Sequence, residues 1–186
     1  MKHCIIYAHP NQFSFNHAIK EKVINLINSR GDQYDLIDLY QEQFQPVLSA
    51  NDFIALQNNT VNEELKRHQK LVSDAQNLIF IYPIWWFGQP AILKGWIDRV
   101  FSSGFAYRED EKGFTPLLSD KSATLIVTLG SQKETLLQYG IDDFVKNMTV
   151  GTLNLVGISN INCQQLYAVP SLTSSERHTM LENITI

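Results

Sequence analysis

Sulfur is scarce in this chain. Cys4 and Cys163 lie near opposite ends of 186 residues, with no CxxC partner and no His/Cys cluster beside either. That argues against a redox dithiol and against a zinc site of ordinary spacing, and both residues read as buried, reduced core thiols. Positive charge is not in excess: 15 Lys and Arg stand against 19 Asp and Glu, for a formal net charge of -4. The basic residues are also scattered, so no nucleic-acid-binding stripe exists. Long apolar runs are missing too. The opening MKHCIIYAHP meets His9 and Pro10 too early for a signal peptide or a membrane span, and a cytoplasmic protein without membrane insertion is expected. The N-x-T triplets at Asn58, Asn147 and Asn183 are then chance matches. Neither GxGxxG nor GxxxxGK occurs, which argues against a dinucleotide-binding Rossmann turn and a P-loop; GxSxG and metal-spaced His or carboxylate clusters are absent as well.

Repeats, low-complexity tracts and linker-like runs are also lacking. With 44% hydrophobic and 18% charged residues, the chain suits one domain over residues 1–186 with a substantial core. Its periodicities alternate. Cys4 to Tyr7 is a short apolar strand, and Ile19, Val23, Leu26 and Ile27 mark a helix that stops before Gly31. Tyr34 to Leu39, interrupted by Asp35 and Asp38, suits a strand near a sheet edge. A short helix is expected after Ser49. Val61, Leu65, His68, Val72 and Ala75 describe another helix, with His68 read as a satisfied, half-buried histidine. LIFIY at Leu78 to Tyr82 is apolar at every position, the pattern of a central parallel strand covered on both faces. Pro90 suits the first turn of a helix striped by Leu93, Trp96, Ile97, Val100 and Phe101. A strand at Ala123 to Thr128, a helical stretch between Leu136 and Leu155, a fifth strand within Ile158 to Val169 and a short helix after Thr173 complete the series. Five strands alternating with helices predict an α/β fold, a parallel sheet with helices on both faces. Ligands of such sheets sit at the carboxyl ends of the strands, which directs attention to residues 8–16, 83–90 and 129–135.

The first of these loops, AHPNQFSFNH, brings Ser14 and Asn16 to a helix start, where backbone N–H groups can hold a phosphate. Ser and Asn are equally ordinary N-caps, so both readings stand. The second loop, YPIWWFGQP, crowds four aromatic rings and two prolines into nine residues. Prolines at both ends deny regular hydrogen bonding, so the rings belong to a loop, which a flat apolar partner could cover. Packing of Trp86 and Phe87 beneath a neighbouring helix is the alternative. The third loop offers Thr128, Gly130 and Ser131, small groups with N–H and hydroxyl donors. One ligand touching all three would have a phosphate at one end and a flat heteroaromatic ring with edge acceptors at the other. A flavin nucleotide meets that description.

The segment YPIWWFGQPAILKGWIDRVFSSGFAY, Tyr82 to Tyr107, closely resembles the signature of the NAD(P)H:quinone oxidoreductases with a flavodoxin-like fold, the family of DT-diaphorase and its bacterial relatives. AHP with FSFN in the first loop and DLY at Asp38 to Tyr40 are similar to that family as well. The resemblance implies that His9, Ser14, Phe15 and Asn16 contact the phosphate-bearing chain of the flavin, FMN or FAD. It implies that Pro83, Ile84, Trp85, Trp86 and Phe87 border the isoalloxazine, and that Thr128, Leu129, Gly130 and Ser131 reach its polar edge. It further implies a homodimer with the active site at the interface, where Trp86 lines the substrate cleft and Tyr107 comes from the other subunit. Departures exist. Trp85 stands where relatives commonly have Gln, TLGS replaces TTGG, and Leu136 and Asp142 occupy the places of a Tyr and a His proposed to assist hydride transfer.

The implied activity is two-step: NADH or NADPH hands a hydride to flavin N5 and leaves, then a quinone or similar flat, electron-poor acceptor takes it from the same cleft. Orientation and charge stabilisation are the protein's share, and no side-chain nucleophile is required. A flavin-binding electron carrier or a regulatory subunit of a membrane transporter is the alternative on the same fold. A hydrolase or metal enzyme on this layout is a third.

Overall fold

Short β-rich segments separated by amphipathic helices pair side by side in a parallel sheet. The computed structural model describes residues 1–186 apart from Asn59 and Asp142. Along the chain run β1 (Lys2–Tyr7), α1 (Phe15–Ser29), β2 (Gln33–Asp38), α2 (Ala50–Gln57), α3 (Glu63–Asp74), β3 (Asn77–Pro83) and α4 (Ala91–Val100). A hairpin, β4 (Tyr107–Asp110) with β5 (Gly113–Pro116), precedes β6 (Ser122–Thr128), α5 (Lys133–Gln138), α6 (Lys146–Met148), β7 (Asn160–Leu166) and α7 (Ser174–Glu182). The sheet order is β2-β1-β3-β6-β7, all parallel. From β1 the chain moves outward to β2 and then crosses to β3 on the other side, so the loops after β1 and β3 part at the centre of the sheet. This is a flavodoxin-like arrangement, with β2 at the expected edge.

Period-2 alternation divides the core. On one face Ile5, Tyr7, Ile79, Ile81 and Ile126 pack against Ile19, Val23 and Ile27 of α1 and against Ile184 after α7. On the other, Ile6, Phe80, Tyr82, Leu125 and Val127 meet Leu65 and Val72 of α3 and Leu93, Trp96 and Val100 of α4. β3 is buried at every residue, as its uninterrupted apolar run requires. Gly95 lets the segment before α2 lie on α4: a Cβ there would stand 2.0 Å from the Pro46 carbonyl oxygen.

Five expectations change, the last of them at His68. The helical stretch after Leu136 is broken: α5 ends before Gly140 at φ +71, and α6 widens into a π-helical turn over Thr149–Asn154. The β4–β5 hairpin is additional. Pro90 is the N-cap of α4 rather than a residue of its first turn. Cys163 is only half-buried while Cys4 is buried, because Cys163 belongs to an edge strand.

His68 is fully buried rather than half-buried. Its Nδ1 accepts from the Trp96 indole N–H at 3.1 Å, so the proton sits on Nε2, which donates to Glu42 at 2.9 Å. Burial is the main cause that holds its pKa below the ordinary 6.5, and Glu42 partly opposes this. A lowered folded-state value means the unfolded chain binds the extra proton first, so stability falls as pH drops through and below about 6.5. Urea midpoints of the native protein should therefore decline between pH 7 and 5, and His68→Gln should flatten that decline. An equally steep decline in the variant would assign it to other groups, His9 among them.

Candidate functional site

Three loops meet at the carboxyl ends of β1, β3 and β6. After Pro83, Ile84 N–H donates to the Thr128 carbonyl at 2.8 Å and ties the aromatic loop to β6. Trp85 and Gly88 then exchange two backbone bonds of 2.9 and 3.1 Å, closing a two-residue turn with Trp86 at φ +50 and Phe87 at φ +60. Positive φ at both central positions is the pattern of a primed turn that normally takes Asn-Gly. With two bulky residues there it stores on the order of 1–3 kcal/mol apiece. The turn holds the Trp86 ring in solvent at 96% exposure, with Trp85 and Phe87 nearly half exposed.

The loop after β6 is pinned to its neighbour: Leu129 N–H donates to Leu166 O at 2.8 Å, and Ala168 N–H to Ser131 O at 2.9 Å. The N–H groups of Gly130 and Ser131 have no partner among the described residues. Between these two loops lies a cleft of about 470 Å³, lined by Ile84, Trp85, Trp86, Phe87, Leu129, Gly130, Ser131 and Leu136.

In the first loop, Asn11 N–H donates to His9 Nδ1 at 3.0 Å, and the Asn11 side chain accepts from Phe13 N–H at 2.8 Å. Ser14 caps α1 by accepting from His17 N–H at 3.2 Å. Phe15 and Asn16 leave their N–H groups unpartnered at the helix start, where the helix dipole favours an anion. The Asn16 side chain turns inward, donating to Thr128 Oγ1 at 2.8 Å, so it and the buried Thr128 hydroxyl lock two loops together rather than facing the cleft. Its Oδ1 is buried without a partner.

A second cavity, about 590 Å³, adjoins this loop and includes Tyr7, His9, Phe13, His17, Lys20 and Tyr40 in its wall. Lys20, nearly buried, rests its ammonium 5.1 Å from the Tyr7 ring centroid and 3.2 Å from Glu21. The Tyr7 hydroxyl is buried and unpartnered. Burial lowers the pKa of His9 and raises that of Tyr7.

The structure thus gathers Ile84 to Phe87 with Leu129 to Ser131 in one cleft, places Pro83 at the buried end of β3, and sets Ser14, Phe15 and Asn16 at the start of α1, with His9 in the loop before it. Tyr107 is elsewhere, on β4, stacked on Phe114 at 5.1 Å. Asp142 lies outside the described residues. The Lys20 cavity escaped sequence reading because Lys20 looks like a polar interruption of a core stripe. A clue existed: it lies one helical turn beyond Asn16. No helix among the described residues is long and apolar enough to cross a membrane, and no group of three or more His, Cys, Asp or Glu among them could hold a metal.

Comparison with known proteins agrees with this layout. The family described as having a flavodoxin-like fold matches residues 1–184. A Haemophilus influenzae protein named as an uncharacterized NAD(P)H oxidoreductase is 32% identical over 98% of this chain and 91% of its own length. NAD(P)H dehydrogenase (quinone) 1 of Cavia porcellus is 30% identical over 89% of this chain and 68% of its own. The crystal structure of Smu.1420 from Streptococcus mutans superposes with a TM-score of 0.88 at 36% identity, covering 98% of this chain and 95% of that one. The molecule is a flavodoxin-like protein by fold and by sequence. Within that class, the chain belongs to the family of NAD(P)H oxidoreductases and quinone reductases, which is a family of oxidoreductase enzymes.

Proposed function

We propose that this protein is a flavin-dependent NAD(P)H oxidoreductase that reduces quinones or similar flat, electron-poor acceptors. One observation carries the reading: a cleft with an aromatic turn on one wall and unpartnered backbone N–H groups on the other opens beside a helix start that also has free N–H groups. The donor set fits a flavin nucleotide. Phe15 and Asn16 N–H suit its phosphate, Gly130 and Ser131 N–H suit the acceptors on the ring edge, and Ile84 to Phe87 suit the ring itself. When bound, the cofactor supplies two-electron hydride chemistry, drawn from NADH or NADPH and passed to the acceptor in successive occupancies of one cleft.

The chain's own task is placement. Trp86 offers a flat apolar surface against which nicotinamide and acceptor take turns, and the rings of Trp85 and Phe87 exclude water from the same wall. Gly130 and Ser131 N–H, fixed by the anchoring of their loop to β7 and the segment after it, would hold the polar edge of the ring and would stabilise negative charge there without rearrangement. A homodimer, in which a second copy closes the open cleft with its own Tyr107, accounts for the exposure of Trp86.

Purified protein should be yellow, release FMN or FAD on denaturation, and turn over a benzoquinone with NADH or NADPH. Flavin that stays oxidised under an anaerobic excess of both nucleotides would overturn the reductase assignment, and a protein that cannot be reconstituted with flavin would overturn the cofactor.

A further inference from the structure

The two cavities share a wall, and two side chains form it. His9 lines the cavity at α1 and Trp85 lines the cleft. Their rings stand 6.0 Å apart between centroids at 58°, within the range of interacting aromatic pairs. We propose that Trp85 is a positioning residue for the phosphate-bearing part of the cofactor, acting through His9. This rests on the flavin reading above and assigns to Trp85 a role that its place on the ring wall does not imply.

His9 is constrained on one side already. Its Nδ1 accepts the Asn11 N–H at 3.0 Å, which puts the proton of the neutral imidazole on Nε2. Nε2–H has no partner among the described residues and is available to a phosphate oxygen. A single hydrogen bond fixes the tautomer but leaves the ring free to swing about its side-chain torsions. Trp85 removes that freedom. Its backbone is held by the two bonds to Gly88, and the preceding residue is tied to Thr128, so the indole projects from a fixed point just beyond β3 and stands against the imidazole. Restricting the imidazole to one orientation lowers the entropy lost when it meets an anion. The strained turn thereby serves both ends of the ligand: Trp86 and Phe87 face the ring while Trp85 reaches back toward the phosphate loop.

The experiment titrates flavin-free, full-length protein with FMN and with riboflavin, which shares the ring and lacks the phosphate, and follows quenching of flavin fluorescence. Trp85→Ala should weaken FMN binding about tenfold, the scale of one charge-assisted hydrogen bond, and riboflavin binding by a clearly smaller factor, the share of the ring wall alone. Trp85→Phe should keep FMN affinity, and His9→Ala placed on Trp85→Ala should cost little more. Equal losses for the two ligands, or additive losses in the double variant, would overturn the proposal. A second readout needs no ligand. The His9 imidazole, followed by NMR in the flavin-free protein, should titrate closer to an ordinary histidine in Trp85→Ala as its cover is removed, and unchanged in Trp85→Phe. An unmoved titration in Trp85→Ala overturns the coupling. Wild-type protein that binds neither ligand, nor FAD, instead removes the cofactor assignment, while the imidazole titration still decides the Trp85–His9 coupling.

Discussion

Trp96→Ala should destabilise the protein by about 3–5 kcal/mol, the range for truncating a buried tryptophan. Trp96 has no exposed surface and packs against Phe101 at 5.5 Å and Phe80 at 6.3 Å between ring centroids. Deleting the indole opens a cavity between α4 and β3 and also strips His68 Nδ1 of its donor, leaving a buried acceptor unpaired. Against a typical total of about 5–15 kcal/mol, the loss is a large share. Trp96→Phe separates the two causes, since it refills most of the volume and still orphans His68; it should fall between wild type and Trp96→Ala in urea denaturation. Adding His68→Leu to Trp96→Phe should recover part of the loss, because an apolar pair leaves no unmet acceptor at that position. Equal damage from Phe and Ala would assign the whole effect to the hydrogen bond and none to packing.

That buried pair also shows where sequence reading stops. The apolar stripe of α3 and the LIFIY run of β3 announce a helix and a central strand, because their periods are local and strong. The identity of His68's partners is not local: Trp96 and Glu42 come from α4 and from the segment after β2. The same division holds at the site. The aromatic loop and the small-residue loop after β6 are visible as composition, and their positions at strand ends follow from the α/β alternation. What they do to one another is invisible. Asn16, readable as a phosphate contact or a cap, turns its amide to Thr128 across a separation of 112 residues. The left-handed turn at Trp86 and Phe87 has no sequence cue either, since turn chemistry would place Gly or Asn there. The hairpin carrying Tyr107 has no sequence signal, because its strands are four residues each and mostly exposed, without the alternation that a buried face imposes.

Trp86→Ala should leave the stability of the single subunit within about 0.5 kcal/mol of wild type, as expected for a residue with no packing inside its own chain, and lower kcat/KM for nicotinamide and acceptor alike. Its ring at 96% exposure has almost no packing to lose, whereas stacking of a flat ring on an aromatic side chain is worth about 1–3 kcal/mol, or roughly 5- to 150-fold in rate. The backbone needs a separate control, because Trp86 sits at φ +50 and alanine inherits that strain. Trp86→Gly relieves it. If the indole acts as a stacking surface, Gly and Ala should lose the same activity while Gly alone gains stability, by up to about 1 kcal/mol. Activity that survives in Ala but collapses in Gly would mean that the rigid turn, rather than the ring, serves the reaction. Unfolding of both variants, with full activity in whatever native fraction persists, would make Trp86 a structural residue and move the acceptor's position away from this turn.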